Sequence, residues 1–225
     1  MPGGPSAAAV ADDAARYAAG ALAVANPGGA ITARSGPGSC QRRRLGFYWA
    51  RTIKIIGADM KIGFVGLGNM GNAIAVNLLK AGHQLFINDL ARELQSNLEI
   101  QGARWRDDLV KLGSEAEVVF TALPGAAEVT AVMLGDQGVL AGMKAGTCYI
   151  DLGTNDDATL AKLAAAGDAR GVQVLHAAMA GGVANARDGS MTLAVRGDAA
   201  AFDACAPLLR QIAREVAHRG PLPAG

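Results

Sequence analysis

The stretch Lys61-Ile-Gly-Phe-Val-Gly-Leu-Gly-Asn-Met-Gly71 decides the fold. Its first half is a short apolar run that predicts a buried β-strand, because β-branched and aromatic residues favour extended chain. Three glycines at G-x-G-x-x-G spacing follow, namely Gly66, Gly68 and Gly71. Residues 72–81 carry apolar side chains at helical spacing, and Gly82 stands where that helix would end. The stretch therefore predicts a strand, a glycine turn and a helix in succession.

This succession indicates a dinucleotide-binding site. The first glycine permits a tight turn, the second lets a pyrophosphate approach the backbone, and the third lets the helix pack against the strand. The helix N-terminus offers unpaired N–H groups and a positive dipole end to the phosphates. The predicted cofactor-binding residues of the turn are Gly66, Leu67, Gly68, Asn69, Met70 and Gly71.

The context of the motif strengthens it, since a chain with 30 glycines will form some G-x-G-x-x-G by chance. Residues 84–88 predict a second strand, and Asp89 follows it, 18 residues after Gly71. That distance is close to the roughly 20 residues expected for the acid that binds the ribose hydroxyls. Asp89 favours NAD, because a carboxylate repels the 2′-phosphate of NADP. Arg92, three residues further on, leaves NADP open as an alternative.

Charge and cysteine content exclude several classes of protein. The 225 residues carry a net charge of +1, which gives no general attraction to nucleic acid or to acidic membranes. The three cysteines lie far apart, so they predict neither a disulfide framework nor a zinc site. A reducing cytoplasm is the expected setting. No run of residues is typical of a membrane span or a secretory signal.

Residues 1–59 differ in composition from the rest. Residues 1–38 are rich in Ala, Gly, Pro and Ser, so we expect a disordered extension that buries too little surface to fold. Residues 41–54 place five basic residues around three aromatic ones, which fits either a patch for nucleic acid or membrane, or an incidental basic tail. We expect Met60 to be the natural start and residues 60–225 to form the folded domain.

Strands and helices alternate after Asp89. This alternation predicts a doubly wound α/β fold with a mostly parallel sheet and helices on both faces. Further strands are predicted at residues 103–105, 117–122, 147–152, 172–175, 191–195 and 215–218. Helices are predicted at residues 91–100, 126–133, 156–166 and 198–212, with Gly167 ending the third of these. The loops at Gly66, Asp89, Leu123 and Thr154 should open onto one crevice at the carboxyl ends of the strands.

Four segments carry a family resemblance. They are residues 63–71, Leu123-Pro124, the run Asp151-Leu-Gly-Thr-Asn-Asp156, and Gly181-Gly182 with residues 189–193. From Met60 onward the chain resembles the β-hydroxyacid dehydrogenases, above all those of the 3-hydroxyisobutyrate type, whose NAD(P)-binding domain 6-phosphogluconate dehydrogenase shares. The resemblance implies hydride transfer between a nicotinamide cofactor and a small hydroxy acid or carbonyl. It also implies that Leu123, Pro124 and Thr154 adjoin the nicotinamide and that Gly181 and Gly182 adjoin the substrate.

The sequence departs from this family at the substrate loop. Ala180 stands where the family has a serine that hydrogen-bonds the substrate carboxylate. Loss of such a bond to a charged group costs about 1.5–3 kcal/mol. His176 replaces a family aspartate. It is either a group that titrates near neutral pH or an ordinary histidine at the end of a strand.

No catalytic residue is predicted. In the family a second, helical domain brings a catalytic lysine and a nearby asparagine and forms the dimer, and the sequence ends before any counterpart. Lys144 and Lys162 are poorly placed to substitute. A missing general base typically lowers the rate by about 10²–10⁴-fold. We also expect an exposed apolar face near Met179, Met191 and the C-terminal helix, with self-association or poor solubility as its result.

Several functions remain open at this level. The first is the NAD(P)-binding domain of a 3-hydroxyacid dehydrogenase, and the second is a truncated, catalytically silent dinucleotide-binding module. A third is a reductase of imines or small aldehydes, which the altered loop at residues 176–180 would suit. A nucleic-acid role has the weakest support, since it depends on residues 42–54 alone.

Overall fold

A single twisted sheet organises the domain. The computed structural model describes residues 59–223, so the extension and basic segment expected within residues 1–58 lie outside the described part. Eight strands form the sheet in this part of the chain. They are β1 (Lys61–Val65), β2 (Gln84–Asn88), β3 (Arg104–Trp105), β4 (Val118–Thr121), β5 (Cys148–Asp151), β6 (Gln173–Ala180), β7 (Met191–Gly197) and β8 (Ala213–His218).

Helices connect most of these strands. They are α1 (Asn69–Lys80), α2 (Ser96–Ile100), α3 (Leu109–Glu115), α4 (Ala126–Leu134), α5 (Val139–Gly142), α6 (Asp157–Arg170), α7 (Val183–Asp188) and α8 (Ala199–Leu209), with a 3₁₀ turn at Arg92–Gln95 before α2. None of the helices between residues 59 and 223 has the length and apolarity that crossing a membrane requires. The predicted doubly wound, mostly parallel fold is confirmed.

The strand order places a crevice beside the glycine turn. The order is β3-β2-β1-β4-β5-β6-β7-β8, so the chain adds β2 and β3 on one side of β1 and all later strands on the other. Val65 at the end of β1 is level with Asn88 of β2 and Thr121 of β4. Such a reversal of winding leaves a crevice at the carboxyl ends of the strands, where ligands bind in this class of fold.

Two apolar layers cover the two faces of the sheet. One face packs against α1, α7 and α8, and the other against α3 to α6. In α1 the buried side chains of Ile74 and Leu78 are four residues apart, so both point at the sheet. Phe64 and Phe120 stack on the same side with ring centroids 5.9 Å apart. Burial on both faces explains why the central strands read as continuous apolar runs.

The expected end of α6 was wrong. Asp156 caps its first turn as expected, by accepting a hydrogen bond from the Thr159 N–H at 2.7 Å. The helix continues past Gly167 to Arg170 and ends at Gly171, which has the left-handed conformation typical of a helix end (φ +69°). At Gly167 a Cβ would lie 2.5 Å from Cγ2 of Val174. Gly167 thus serves close packing of helix on strand.

The sixth strand is longer than the predicted 172–175. It continues through His176 to Ala180, because β7 returns antiparallel beside it and supplies hydrogen-bond partners, with Ala177 opposite Val195 and Ala180 opposite Thr192. Because β7 lies further along the chain, the residues of β6 carry no local sequence signal of this pairing. The helix α7 was also absent from the sequence prediction.

The expected exposed face near Met191 was wrong as well. Met191 is fully buried, and Met179 is half-buried against the same core. The reason is that α8 folds back over the sheet and buries Leu208 and Leu209 there. Self-association itself stays a prediction.

Candidate functional site

The glycine turn after β1 depends on two close approaches. Gly66 has φ +96°, and a Cβ there would lie 2.5 Å from the carbonyl oxygen of Ala122. At Gly71, a Cβ would overlap the carbonyl oxygen of Gly66. The tight turn and the close packing of α1 therefore both need glycine. These are the two steric roles expected from the motif.

The N-terminus of α1 suits an anionic group. Gly68 is exposed, and a Cβ added there would meet no atom within 4 Å. Within the described chain, the first turn of α1 has no capping side chain and no acidic residue. Unpaired N–H groups and the positive end of the helix dipole thus face open space beside Gly68, Asn69 and Met70. The residues present fit a pyrophosphate at this point.

Asp89 ties the end of β2 to the glycine turn. Its Oδ2 accepts a hydrogen bond from the Leu67 N–H, and its Oδ1 accepts one from the Ala91 N–H at 2.8 Å. The Leu67 side chain is buried in the core. Leu67 therefore contributes to the site through its backbone alone, and its N–H group faces Asp89.

Arg92, three residues after Asp89 in the sequence, is engaged elsewhere. Its Nη1 is 3.2 Å from Oδ1 of Asp107, and its guanidinium stacks over the Trp105 ring, 5.3 Å from the centroid. The indole Nε1 of Trp105 donates to the same Asp107 oxygen at 2.7 Å. Sequence reasoning missed this contact, because Trp105 and Asp107 are brought beside Arg92 by the pairing of β3 with β2.

The turns after β4 and β5 lie against each other. Leu123 is half-buried, while Pro124 and Thr154 are exposed. The Leu152 N–H donates to the Thr121 carbonyl at 2.8 Å, and a Cβ on Gly153 would lie 2.9 Å from the Leu123 carbonyl oxygen. Since Ala122 also contacts Gly66, the structure brings the three turns together at one edge of the sheet.

The buried carboxylate of Asp151 accepts hydrogen bonds from the turn that carries Thr154. Oδ1 of Asp151 accepts hydrogen bonds from the Thr121 hydroxyl at 3.0 Å and the Gly153 N–H at 3.1 Å, and Oδ2 accepts one from Nδ2 of Asn155 at 2.7 Å. The Tyr149 hydroxyl is 2.7 Å from the Thr121 hydroxyl. Burial raises the pKa of Tyr149, and the negative charge of Asp151 raises it further. Tyr149 is therefore a neutral hydrogen-bond donor to Thr121.

His176 belongs to the same cluster. Its Nε2 is 3.0 Å from the Gly153 carbonyl oxygen and 3.8 Å from Oδ2 of Asp151. A carbonyl oxygen can only accept, so Nε2 carries a proton and donates. His176 is thus buried and lies inside β6, and not at the end of a strand as predicted.

Gly181 and Gly182, the predicted substrate residues, are exposed just after β6. The Gly182 N–H donates to Oδ1 of Asn185 at 3.1 Å, in the first turn of α7. That helix packs on α1, where Nδ2 of Asn77 donates to the Ala186 carbonyl at 2.8 Å. The loop at Gly181 and Gly182 is therefore anchored to α1 through α7.

A groove of about 670 Å³ runs along the outer face of α1. It begins at Leu67, Gly68 and Asn69 and extends to Lys80 and Arg187. Only the end of the groove that includes Leu67, Gly68 and Asn69 overlaps the predicted cofactor residues. The residues from 59 to 223 hold no group of three or more His, Cys, Asp or Glu side chains suited to a metal ion.

Several known proteins are similar to this chain. The 3-hydroxyisobutyrate dehydrogenase of Pseudomonas aeruginosa is 39% identical over 164 residues, which are 73% of this chain and 55% of that protein. The structure of Psf3 in complex with NADP+ and 2-OPP has a TM-score of 0.69 and 31% identity, over 72% of this chain and 57% of that one. Mycobacterium tuberculosis 3-hydroxyisobutyrate dehydrogenase with L-serine has a TM-score of 0.68 and 30% identity, over 74% and 56%.

The chain thus spans a little over half the length of these relatives. The family described as the NAD binding domain of 6-phosphogluconate dehydrogenase matches residues 61–220. The match and the named relatives confirm the resemblance to hydroxyacid dehydrogenases and an NAD(P)-type cofactor. The chain belongs to the family of NAD-binding domains of 6-phosphogluconate dehydrogenase, and it is similar to the 3-hydroxyisobutyrate dehydrogenases.

Proposed function

We propose that the chain is the cofactor-binding half of an oxidoreductase that moves a hydride between a nicotinamide cofactor and a small hydroxy acid or carbonyl. The observation that carries this proposal is the meeting of three features at one edge of the sheet. They are the glycine turn, the uncapped N-terminus of α1 and the carboxylate of Asp89. The bound nicotinamide would supply the hydride chemistry, and the chain would bind and orient it.

The residues of the turn hold the pyrophosphate in this proposal. Backbone N–H groups of Asn69, Met70 and Gly71 donate to it, and Gly68 leaves room for it. Asp89 accepts from the ribose hydroxyls, because each of its oxygens retains a lone pair after accepting one backbone hydrogen bond. Leu123, Pro124 and Thr154 adjoin the nicotinamide, and Gly181 and Gly182 adjoin the substrate.

NAD is the preferred cofactor in this proposal. Asp89 would repel a 2′-phosphate. Arg92, the residue best placed to compensate, already pairs with Asp107 and stacks on Trp105. NADP remains the alternative, since an exposed ion pair of this kind is weak and Arg92 can exchange partners.

The proton on the substrate hydroxyl needs an acid/base group, and no residue of this chain matches the family lysine. We infer that the group comes from outside the matched residues, and that the chain alone binds cofactor but turns over substrate slowly. The substrate class proposed is a small 3-hydroxy acid. A cytoplasmic setting is proposed on the free, buried thiols of Cys148 and Cys205.

Calorimetric titration of the full chain with NADH and, separately, with NADPH tests the proposal. We expect saturable binding of both, tighter for NADH. Absence of binding of either cofactor to folded protein would overturn it. A coupled assay with 3-hydroxy acids, aldehydes and imines then separates the hydroxyacid dehydrogenase from the two alternatives, a silent binding module and an imine or aldehyde reductase.

A further inference from the structure

The carboxylate of Asp151 is surrounded by hydrogen-bond donors alone. Three groups donate hydrogen bonds to it, namely the Thr121 hydroxyl, the Gly153 N–H and the Asn155 amide, and Nε2 of His176 lies 3.8 Å from its Oδ2. An ionised carboxylate accepts on both oxygens, whereas an asparagine would turn an NH₂ group toward at least one of these donors. A carboxylate therefore fits this set of donors better than an amide does.

Burial of the polar cluster around Asp151 costs free energy of folding. The residue is fully buried, and a buried carboxylate loses its hydration. In addition, Nδ1 of His176 and Oδ1 of Asn155 are buried and have no hydrogen-bond partner among residues 59–223. Buried polar atoms without partners destabilise a fold.

What the cluster fixes is the turn at residues 152–155. The backbone of Gly153 is held twice, by Asp151 through its N–H and by His176 through its carbonyl. Asn155 is held by Asp151 through its side chain. Thr154 lies between these two anchored residues, and its exposed side chain makes no hydrogen bond within the described part of the chain. The turn therefore presents the exposed Thr154 hydroxyl next to Gly153, the residue whose backbone approaches the Leu123 carbonyl.

We propose that Asp151 is a positioning residue for the nicotinamide end of the bound dinucleotide, because it holds the turn that presents Thr154. This inference rests on the proposed function. It leaves the pyrophosphate and ribose contacts to the turn at residues 66–71 and to Asp89, none of which hydrogen-bonds Asp151. Loss of the carboxylate should then weaken the nicotinamide contacts and spare the others.

Titration of the full chain with NADH and with ADP-ribose, which lacks the nicotinamide, separates binding of the nicotinamide end of the dinucleotide from binding of the rest. Wild type should bind NADH more tightly. Asp151→Asn should lose roughly tenfold in NADH affinity, while ADP-ribose affinity stays within about twofold. The fluorescence enhancement of bound NADH should fall in parallel. A matched control is Asp198→Asn, which removes a carboxylate that caps α8 far from the turn, and it should leave both affinities unchanged.

Other outcomes are equally decisive. Equal losses for both ligands in folded Asp151→Asn, or no loss, would overturn the inference, as would equal wild-type affinities for NADH and ADP-ribose. If Asp151→Asn does not fold, Asn155→Ala removes one anchor of the turn and is judged by the same ratio. Binding of neither ligand by wild type would overturn the proposed function itself, and this inference with it.

Discussion

The carboxylate of Asp89, at the end of β2, accepts a hydrogen bond from the backbone N–H of Leu67 in the glycine turn after β1. The residue that sequence patterns assign to the ribose therefore also fixes the turn that faces the pyrophosphate. Because the Leu67 side chain is buried in the core, the turn cannot easily rearrange to find another acceptor.

Asp89→Ala should therefore reduce both stability and binding. The Leu67 N–H would lose its acceptor, which costs about 1–3 kcal/mol for a buried donor. Urea unfolding measures this loss, and titration with NADH measures the loss of the ribose contact. Asp89→Asn keeps one acceptor oxygen and should recover part of the stability. Wild-type stability of the alanine variant would show that the hydrogen bond to Leu67 contributes nothing.

Gly68→Val should abolish cofactor binding without unfolding the protein. Gly68 has φ −57°, which valine adopts readily, and its added side chain would enter open space. That space is where the pyrophosphate is proposed to lie, so the side chain would exclude it sterically. Thermal unfolding followed by circular dichroism should match wild type. Ala165→Val, at an exposed position of α6, is the control, and NADH binding by Gly68→Val at wild-type affinity would contradict the proposed site.

Asp107→Asn should shift cofactor preference toward NADPH. It releases Arg92 from its ion pair, so the guanidinium becomes available to a 2′-phosphate. The pair is exposed, and such pairs contribute roughly 0.2–1 kcal/mol, so the ratio of the two dissociation constants should change by up to about fivefold. The same substitution made together with Arg92→Ala should leave the ratio at its Arg92→Ala value. A shift of equal size in that double variant would assign the effect to the lost negative charge alone.

The cap of α6 should give the protein part of its acid sensitivity. Hydrogen bonds from Thr159 lower the pKa of Asp156 below its ordinary value of 3.8. The carboxylate therefore stabilises the fold above that pH, and the contribution is lost as the pH falls through the lowered pKa. Urea unfolding of wild type and Asp156→Asn from neutral pH to below pH 4 should show a shallower acid loss in the variant. Parallel curves would contradict this.

The sequence was informative where a residue acts through its own backbone or through near neighbours. The order of Gly66, Gly71 and Asp89 predicted a turn, a close packing contact and an acid at the end of the next strand, and the structure places all three as expected. It misled at Gly167, because a glycine in a helix can mark either an end or a close contact. The close contact of Gly167 is with Val174, which lies in β6, the strand that follows the helix.

By itself, the sequence determined the alternation of strands and helices, the glycine turn and the identity of the family, because these depend on spacings of a few residues. Tertiary structure alone decided which side chains meet across strands. It placed Asp151 against the turn that carries Thr154 and next to His176. It also paired Arg92 with Asp107 and buried Met191 in the core that α8 covers. Such contacts join residues distant in the chain, and their energies depend on burial and geometry that no local pattern encodes.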